Sequence, residues 1–297
     1  MLDSRLRGND LSSWMFMSRF TIERLGIGLL ALVTIAVIIP IIAVIGVIVV
    51  QGLPAITAEF LFTAPREGMR AGGIWPAIVG TFLLTMGTAI FSVPLGVAIA
   101  IYLSEYARDS KFTRMIRLAI INLAGVPSIV YGLFGLGLFV LALGIGSSIL
   151  AGSLTLAIMT LPVIISTAEE ALRSVPQSFR TVSISLGGTK WQTIRKVVLP
   201  NALPGIITGV ILGLERAAGE TAPILFTVAA FYLPTLPTSI FDKTMALPYH
   251  LFVISTQVPG MPLQLQFGTA LVLLAFVLSM TLIATIIRSY YRRKRVW

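Results

Sequence analysis

Residues 205–230, GIITGVILGLERAAGETAPILFTVAA, form an apolar segment with charged residues near its centre. The segment is long enough to cross a hydrocarbon layer about 30 Å thick, which takes about 20 residues of helix. Counted from Gly205, Arg216 lies about a dozen residues in, which at 1.5 Å per residue is near mid-layer. An arginine there costs about 2.5–3.5 kcal/mol, so the segment predicts a membrane helix whose charges must have a compensating partner.

The whole chain shares this apolar character. Hydrophobic residues make up 56% of its 297 residues and charged residues 11%, whereas an average soluble domain is about a quarter charged. Isolated strands cannot satisfy their backbone in lipid, and no alternating barrel pattern occurs. The sequence therefore predicts an all-α integral membrane protein with six transmembrane helices, at 26–50, 76–103, 116–143, 149–168, 205–230 and 265–288. Candidate kinks lie at the interior prolines Pro40, Pro94, Pro127, Pro162 and Pro223.

The distribution of Lys and Arg predicts the orientation of the chain. These residues gather in 1–25, 104–117, 169–204 and 288–297, whereas the opposite side holds Arg66, Arg70 and Lys243. Under the positive-inside rule, both termini and the 169–204 loop are cytoplasmic. We expect residues 1–25 to be disordered, with Met15 or Met17 as a possible true start. Residues 26–288 then form the transmembrane domain, and 289–297 a basic tail that contacts anionic lipid rather than nucleic acid.

Composition excludes several functions. The chain has no cysteine and a single histidine, His250, so thiolate and histidine metal sites and a Ser/His/Asp triad are not expected. We interpret His250 as a surface loop residue. No Gly-x-x-x-x-Gly-Lys-Ser/Thr loop occurs, so any ATP hydrolysis must take place on another chain. No acid, base and nucleophile cluster at membrane depth, which makes a membrane-embedded enzyme the weakest alternative.

The loop from Glu169 to Pro204 is longer than a helical hairpin needs. Apolar residues line one helical face at Val175, Phe179, Val182 and Leu186, and a second face at Trp191, Ile194 and Val198. Gly187 and Gly188 separate the two. This pattern predicts two short amphipathic helices joined by a diglycine turn, which fit either a groove on a partner or the membrane surface.

A second pattern lies in 205–230. If the helix is continuous, a stripe about 80° wide holds Gly205, Gly209, Gly213, Arg216 and Glu220. Small residues at this spacing allow close helix packing, so the stripe faces protein or a lined cavity. Arg216 and Glu220, four residues apart, can form an ion pair. The pair either neutralises itself inside the bundle or, with Thr221, lines a polar path whose guanidinium suits phosphate oxygens.

Specific motifs resemble a known family. Gly187, nine intervening residues, then Val197-Val198-Leu199-Pro200 resemble the cytoplasmic loop signature of ABC-importer permeases, with Thr181-Val182-Ser183 in place of its Glu-Ala-Ala and Val197 in place of Ile. Glu215–Pro223, Asn122–Gly135 and Met245–Pro248 are similar to the phosphate-specific branch, the A-type permease subunit. The resemblance runs from about residue 20 to the end of the chain.

The resemblance implies a type I ABC-importer permease of the bacterial inner membrane. It implies a second homologous permease, two ATPase subunits that bind ATP and Mg, a periplasmic phosphate-binding protein received partly by the 231–264 loop, and transport by alternating access. The same loop could instead be an ordinary connector. The residues expected to couple to the ATPase are Phe179, Leu186, Gly187, Gly188, Trp191, Leu199 and Pro200, and no cofactor is expected in this chain. Alternatives are a permease for molybdate, tungstate or sulfate, and a channel or secondary transporter.

Overall fold

The computed structural model describes the backbone of residues 6–293 and the side chains of residues 23–291. The helices in chain order are α1 (Leu6–Gly52), α2 (Ala58–Phe62), α3 (Trp75–Ile101), α4 (Lys111–Ala124), α5 (Ser128–Gly135), α6 (Ile149–Arg173), α7 (Gln177–Ser185), α8 (Lys190–Thr193), α9 (Leu199–Gly219), α10 (Ala222–Thr227), α11 (Leu247–Thr256) and α12 (Leu263–Arg293). The π-helical segments Tyr102–Tyr106, Leu136–Ala142 and Ile194–Val198 follow α3, α5 and α8. Strands β1 (Pro65–Arg66) and β2 (Ala71–Gly72) pair antiparallel around a 3₁₀ turn at Glu67–Met69.

Contacts divide the chain into two units, Met1–Gln51 and Gly52–Trp297. The first unit is the helix α1, whose side chains from Glu23 onward are almost all exposed. Disorder was predicted for residues 1–25, but α1 begins at Leu6, and residues 1–5 lie outside the described part. At the other end, α12 extends to Arg293. Residues 294–297 of the basic tail also lie outside the described part of the chain.

Four of the six predicted membrane-spanning helices are confirmed, and two differ. Among the described residues, five helical stretches are long and apolar enough to span: Glu23–Ala55, Trp75–Tyr106, Ile149–Arg173, Lys190–Gly219 and Leu263–Tyr291. The predicted span 116–143 is wrong as a single helix, because Lys111–Ala124 and Ser128–Ala142 are bent by 101°. Pro127 lies at this break, where its ring and missing N–H prevent the helix from continuing.

The predicted span 205–230 is also interrupted. Helix α9 ends at Gly219, Glu220 adopts an extended conformation (φ −76°, ψ 135°), and α10 begins at Ala222. Pro223 stands just beyond the break. By contrast, Pro40, Pro94 and Pro162 lie inside α1, α3 and α6. Of the five candidate kinks, two therefore coincide with a break between helices.

Helices α3, α6 and α9 pack together at the centre of the second unit. Their contact faces carry small and hydroxyl residues, among them Thr88 and Thr160, both with no exposed surface. Thr88 donates its hydroxyl proton to the Leu84 carbonyl at 2.8 Å, and Thr160 to that of Ala157 at 3.0 Å. Small side chains that satisfy themselves within their own helix allow close interhelical contact, as expected for a membrane bundle.

The interpretation of His250 as a surface loop residue is wrong. His250 belongs to α11, only 3% of it is exposed, and its Nδ1 has no hydrogen-bond partner among the described residues. The apolar residues on both sides of it signalled burial, but the proline-rich surroundings favoured a loop. Helix α11 lies outside the membrane-spanning stretches.

Burial of this imidazole predicts a loss of stability in mild acid. Desolvation lowers the pKa of His250 from 6.5 to about 4, so below pH 6.5 the unfolded chain binds a proton that the folded chain does not. Stability is therefore unaffected above pH 6.5 and falls between pH 6.5 and about pH 4. We expect the free energy of unfolding to be about 2 kcal/mol lower at pH 5 than at pH 7.

Denaturation of the purified chain in detergent at both pH values measures this change. His250 is the only histidine, so the His250→Gln chain should lack this part of the pH dependence. An equal loss in both chains would contradict the assignment.

Candidate translocation site and docking surface

Arg216 and Glu220 meet at the break between α9 and α10. Arg216 lies in the last turn of α9, and its Nε donates to Glu220 Oε1 at 3.3 Å. The Arg216 side chain is 36% exposed and that of Glu220 is 17% exposed. A cation is favourable at a helix C-terminus, where the unpaired carbonyls carry partial negative charge. The continuous helix assumed for the predicted stripe is absent here, so Glu220 reaches Arg216 from an extended backbone.

Two of the motif segments pack against each other beside this pair. A side chain at Gly132 of α5 would come within 3.0 Å of the Pro223 Cα and the Ala222 carbonyl of α10. One residue earlier, Tyr131 donates its hydroxyl to the Leu123 carbonyl across the α4–α5 bend at 2.7 Å. Tyr131 also lies within range of an electrostatic interaction with Arg216. The pair thus lies where two helices are interrupted, and interrupted helices are typical of transport sites in membrane proteins.

Thr221 follows Glu220 as the residue before α10. It is partly buried, and its side chain does not cap the helix. The neighbouring Glu215 points elsewhere, because its Oε1 accepts from the Thr281 hydroxyl of α12 at 2.6 Å. Arg216, Glu220 and Thr221 are therefore contiguous, whereas Glu215 belongs to the α9–α12 contact.

The three glycines of the predicted stripe pack within the chain, against α6. A Cβ at Gly205 would meet Ala171, one at Gly209 would meet the Thr167 side chain, and one at Gly213 would lie 2.9 Å from Ile164 Cγ1. This face of α9 is therefore occupied by α6 up to the turn that carries Arg216.

The seven residues predicted to couple to an ATPase fall in two places. Phe179, Leu186 and Gly188 line one cleft of about 620 Å³ with Val182 and Val197. Gly187 forms the turn beside it with φ +82°, Trp191 of α8 is 54% exposed, and Leu186 is 84% exposed. Leu199 and Pro200 lie instead in the first turn of α9.

The predicted pair of short helices is half right. Helix α7 is separate and ends at the diglycine turn, where the Gly187 N–H bonds to the Ile184 carbonyl at 2.9 Å. Helix α8, however, begins at Lys190 after the N-cap residue Thr189, which forms a capping box with Gln192, and it runs through Ile194–Val198 into α9. The second amphipathic stretch is therefore the first part of a spanning helix, Lys190–Gly219. The polar residues between 189 and 196 concealed this continuity in the sequence.

The sequence analysis did not predict three ion pairs among residues 102–180. Arg180 of α7 pairs with Glu105 at 2.7 Å, and Glu169 of α6 pairs with Arg117 and Arg173, each at 2.9 Å. The partners are far apart along the chain except for Glu169 and Arg173, which are four residues apart. That one spacing could have been found by pattern.

The 231–264 connection is ordered against α3. A side chain at Gly80 would collide with the Met245 carbonyl, and the Leu247 N–H donates to the Thr81 hydroxyl at 2.8 Å. Met245, Ala246 and Leu247 are at most 1% exposed. The third motif segment, Met245–Pro248, is therefore a core contact, whereas Phe231, Tyr232, Leu236, Ile240 and Phe241 of the same connection are exposed.

These features define a membrane permease subunit of the ABC-importer fold. A solved bacterial ABC transporter involved in the import of the acidic polysaccharide alginate matches with a TM-score of 0.62, over 97% of this chain and 99% of that chain, at 13% identity. Residues 92–296 match the family described as binding-protein-dependent transport system inner membrane component, and the chain belongs to this family. The predicted type I permease architecture is confirmed.

Curated relatives cover most of the chain. The phosphate transport system permease protein PstA 1 of Mycobacterium tuberculosis is 36% identical over 262 residues, 86% of this chain and 85% of that protein. The probable ABC transporter permease protein YqgI of Bacillus subtilis is 32% identical over 252 residues, 81% of this chain and 86% of that protein. The resemblance to the phosphate-specific branch is thereby confirmed.

Proposed function

We propose that this chain is one permease subunit of an ATP-driven importer of inorganic phosphate in the bacterial inner membrane. The observation that carries the proposal is the partly exposed Arg216, held by Glu220 at the break between α9 and α10. A guanidinium offers planar paired donors that match phosphate oxygens, and Glu220 limits how tightly an anion is retained. Relatives named as phosphate permeases support the choice of anion.

The proposed cycle is alternating access between the two sides of the membrane. A second homologous permease supplies the other half of the path, and a phosphate-binding protein delivers the anion on the outer side. ATP and Mg bind to two ATPase subunits on the cytoplasmic side, with both termini of this chain on that side. The anion shifts the equilibrium only by its different affinity for the two states.

Uptake by proteoliposomes that contain the full complex tests the proposal. We expect labelled phosphate to accumulate only with ATP inside and binding protein outside, and excess unlabelled phosphate to compete. Stronger competition by molybdate, tungstate or sulfate would reassign the cargo to that oxyanion. Accumulation without any ATPase subunit would indicate a channel or secondary transporter instead.

The apolar cleft beside α7 is the proposed ATPase docking surface. Leu186 is 84% exposed at its edge, and Val182 of the same cleft is 58% exposed. Exposed apolar side chains in a concave surface favour burial against a partner. The same surface would contact lipid headgroups if no ATPase bound it.

Leu186→Asp should remove the ATPase from the complex. A carboxylate in this largely apolar contact loses its hydration, so we expect the fraction of ATPase that copurifies to fall at least about tenfold. Leu236→Asp, at a 46% exposed leucine in the 231–264 connection, is the matched control and should retain the ATPase. Equal retention by both variants would exclude this cleft as the docking surface.

A further inference from the structure

The segment Tyr102–Tyr106, which continues α3, is connected to three other helices by charged side chains. Glu105 of this segment pairs with Arg180 of α7, and the Leu103 carbonyl accepts from Arg117 of α4 at 2.8 Å. Arg117 in turn bonds Glu169 of α6 at 2.9 Å. The end of α3 is therefore a junction between α4, α6 and α7.

The Glu105–Arg180 contact is the most enclosed ion pair in the described part of the chain. Its side chains are 8% and 12% exposed, respectively. Both carboxylate oxygens are used, with Nη2–Oε1 at 2.7 Å and Nε–Oε2 at 3.3 Å. A bidentate arginine–carboxylate contact fixes the orientation of both groups as well as their separation. An enclosed pair also resists separation, because each charge would be left without a partner.

Arg180 makes a second set of contacts that reach α6. Its Nη1 donates to the Val175 carbonyl at 2.6 Å, and Nη2 to the Leu172 carbonyl at 2.8 Å. These carbonyls lie at and just beyond the C-terminal end of α6, where the last carbonyls of a helix lack the usual i+4 partner. One guanidinium therefore joins α7, the end of α3 and the end of α6.

The chain segments on either side of α7 transmit movement less well than the Glu105–Arg180 ion pair. On one side the chain passes through Ser174–Pro176, and on the other through Gly187 at φ +82° and Gly188. Phe179 packs against the cluster of Val175 and Val198. Two directional contacts fix the orientation of α7: the Ser183–Thr193 hydroxyl bond at 2.8 Å joins it to the start of Lys190–Gly219, and the Glu105–Arg180 pair joins it to the end of α3.

We propose that Glu105 and Arg180 are positioning residues that make α7 move as one body with α3 and α6, so that ATPase closure is transmitted to the spanning helices. The inference rests on the proposed function, which places the ATPase against α7. Without the pair, α7 remains docked on the ATPase but rotates independently of α3. ATP hydrolysis would then continue with little transport.

The test is the number of phosphate ions imported per ATP hydrolysed by the reconstituted full complex. Glu105→Gln keeps the shape of the side chain and removes its charge. We expect this ratio to fall at least about fivefold, with ATP hydrolysis and ATPase copurification within about twofold of wild type. Asp109→Asn is the matched control, since Asp109 and Arg114 form an exposed pair at 4.0 Å on the neighbouring connection, and it should leave the ratio unchanged.

An unchanged ratio in the Glu105→Gln complex would overturn the proposal. Loss of the ATPase from that complex would also overturn it, because the pair would then serve to build the docking surface rather than to transmit movement. If wild-type vesicles import another oxyanion instead of phosphate, the phosphate assignment fails. The role of the Glu105–Arg180 pair is then still tested by the ratio for that anion.

A covalent replacement of the ion pair gives a second, independent readout. The chain has no cysteine of its own, so Glu105→Cys/Arg180→Cys can be joined by a short bismaleimide in a complex with cysteine-free partners. We expect a low ratio before cross-linking and recovery to at least about half of the wild-type ratio afterwards. Transport blocked by the linker would show that α3 and α7 separate during the cycle, which would overturn the proposal.

Discussion

The Arg216→Ala chain is expected to assemble with its partners but to lose phosphate uptake by at least about 100-fold, the loss typical of removing one preorganised charge donor. Among the described side chains, the Arg216 guanidinium donates only from Nε, to Glu220. Its remaining N–H donors are available to an anion, and 36% of the side chain is exposed. No described side chain depends on those donors, so the folding cost of truncation is limited to the loss of the partly exposed Glu220 pair.

Further variants separate a transport role from simple neutralisation. Arg216→Lys keeps the charge but loses the planar pair of donors, so uptake should be intermediate. Arg66→Ala is the control, because Arg66 and Glu59 form an Arg–Glu pair at 4.0 Å with both side chains 65% exposed, and uptake should be unchanged. Normal uptake by Arg216→Ala would assign the Arg216–Glu220 pair a structural role only.

The sequence predicted the spanning helices better than their interruptions. Runs of apolar residues predict a helix because lipid leaves the backbone no alternative, and Trp75–Ile101 and Ile149–Arg173 begin within a residue of the predicted starts. The 101° bend after Ala124 did not follow from the same reasoning. Pro127 and Pro223 mark breaks, whereas Pro94 and Pro162 lie inside continuous helices. A proline leaves one backbone carbonyl without its helical hydrogen bond, and the neighbouring helices decide whether that carbonyl finds another partner.

The sequence predicted the residues of the candidate site, and the structure corrected the helix that carries them. A costly arginine and a nearby carboxylate identified Arg216 and Glu220, although the assumed continuous helix ends at Gly219. The Glu105–Arg180 contact could not be predicted in this way. Its partners are 75 residues apart, and a single sequence contains no information on which distant charges meet.

Gly80→Val is expected to lower the free energy of unfolding by about 3 kcal/mol, the upper end of the usual cost of overpacking. A Cβ at this position would collide with the Met245 carbonyl and with the Thr244 hydroxyl. Flexible side chains can move aside, but the 244–247 backbone is held by the bond from the Leu247 N–H to Thr81. The substitution must therefore displace the whole Met245–Pro248 segment from α3.

Thermal or denaturant unfolding of the purified chain in detergent measures this cost. Gly137→Ala is the control, because Gly137 is exposed and a methyl group added there would meet no atom within 4 Å, so its stability should be unchanged or slightly higher. Gly80→Ala should be less harmful than Gly80→Val but still destabilising, since the first added carbon already meets the carbonyl. Wild-type stability in both Gly80 variants would mean that Met245–Pro248 can shift without loss, and that its packing on α3 contributes little to the fold.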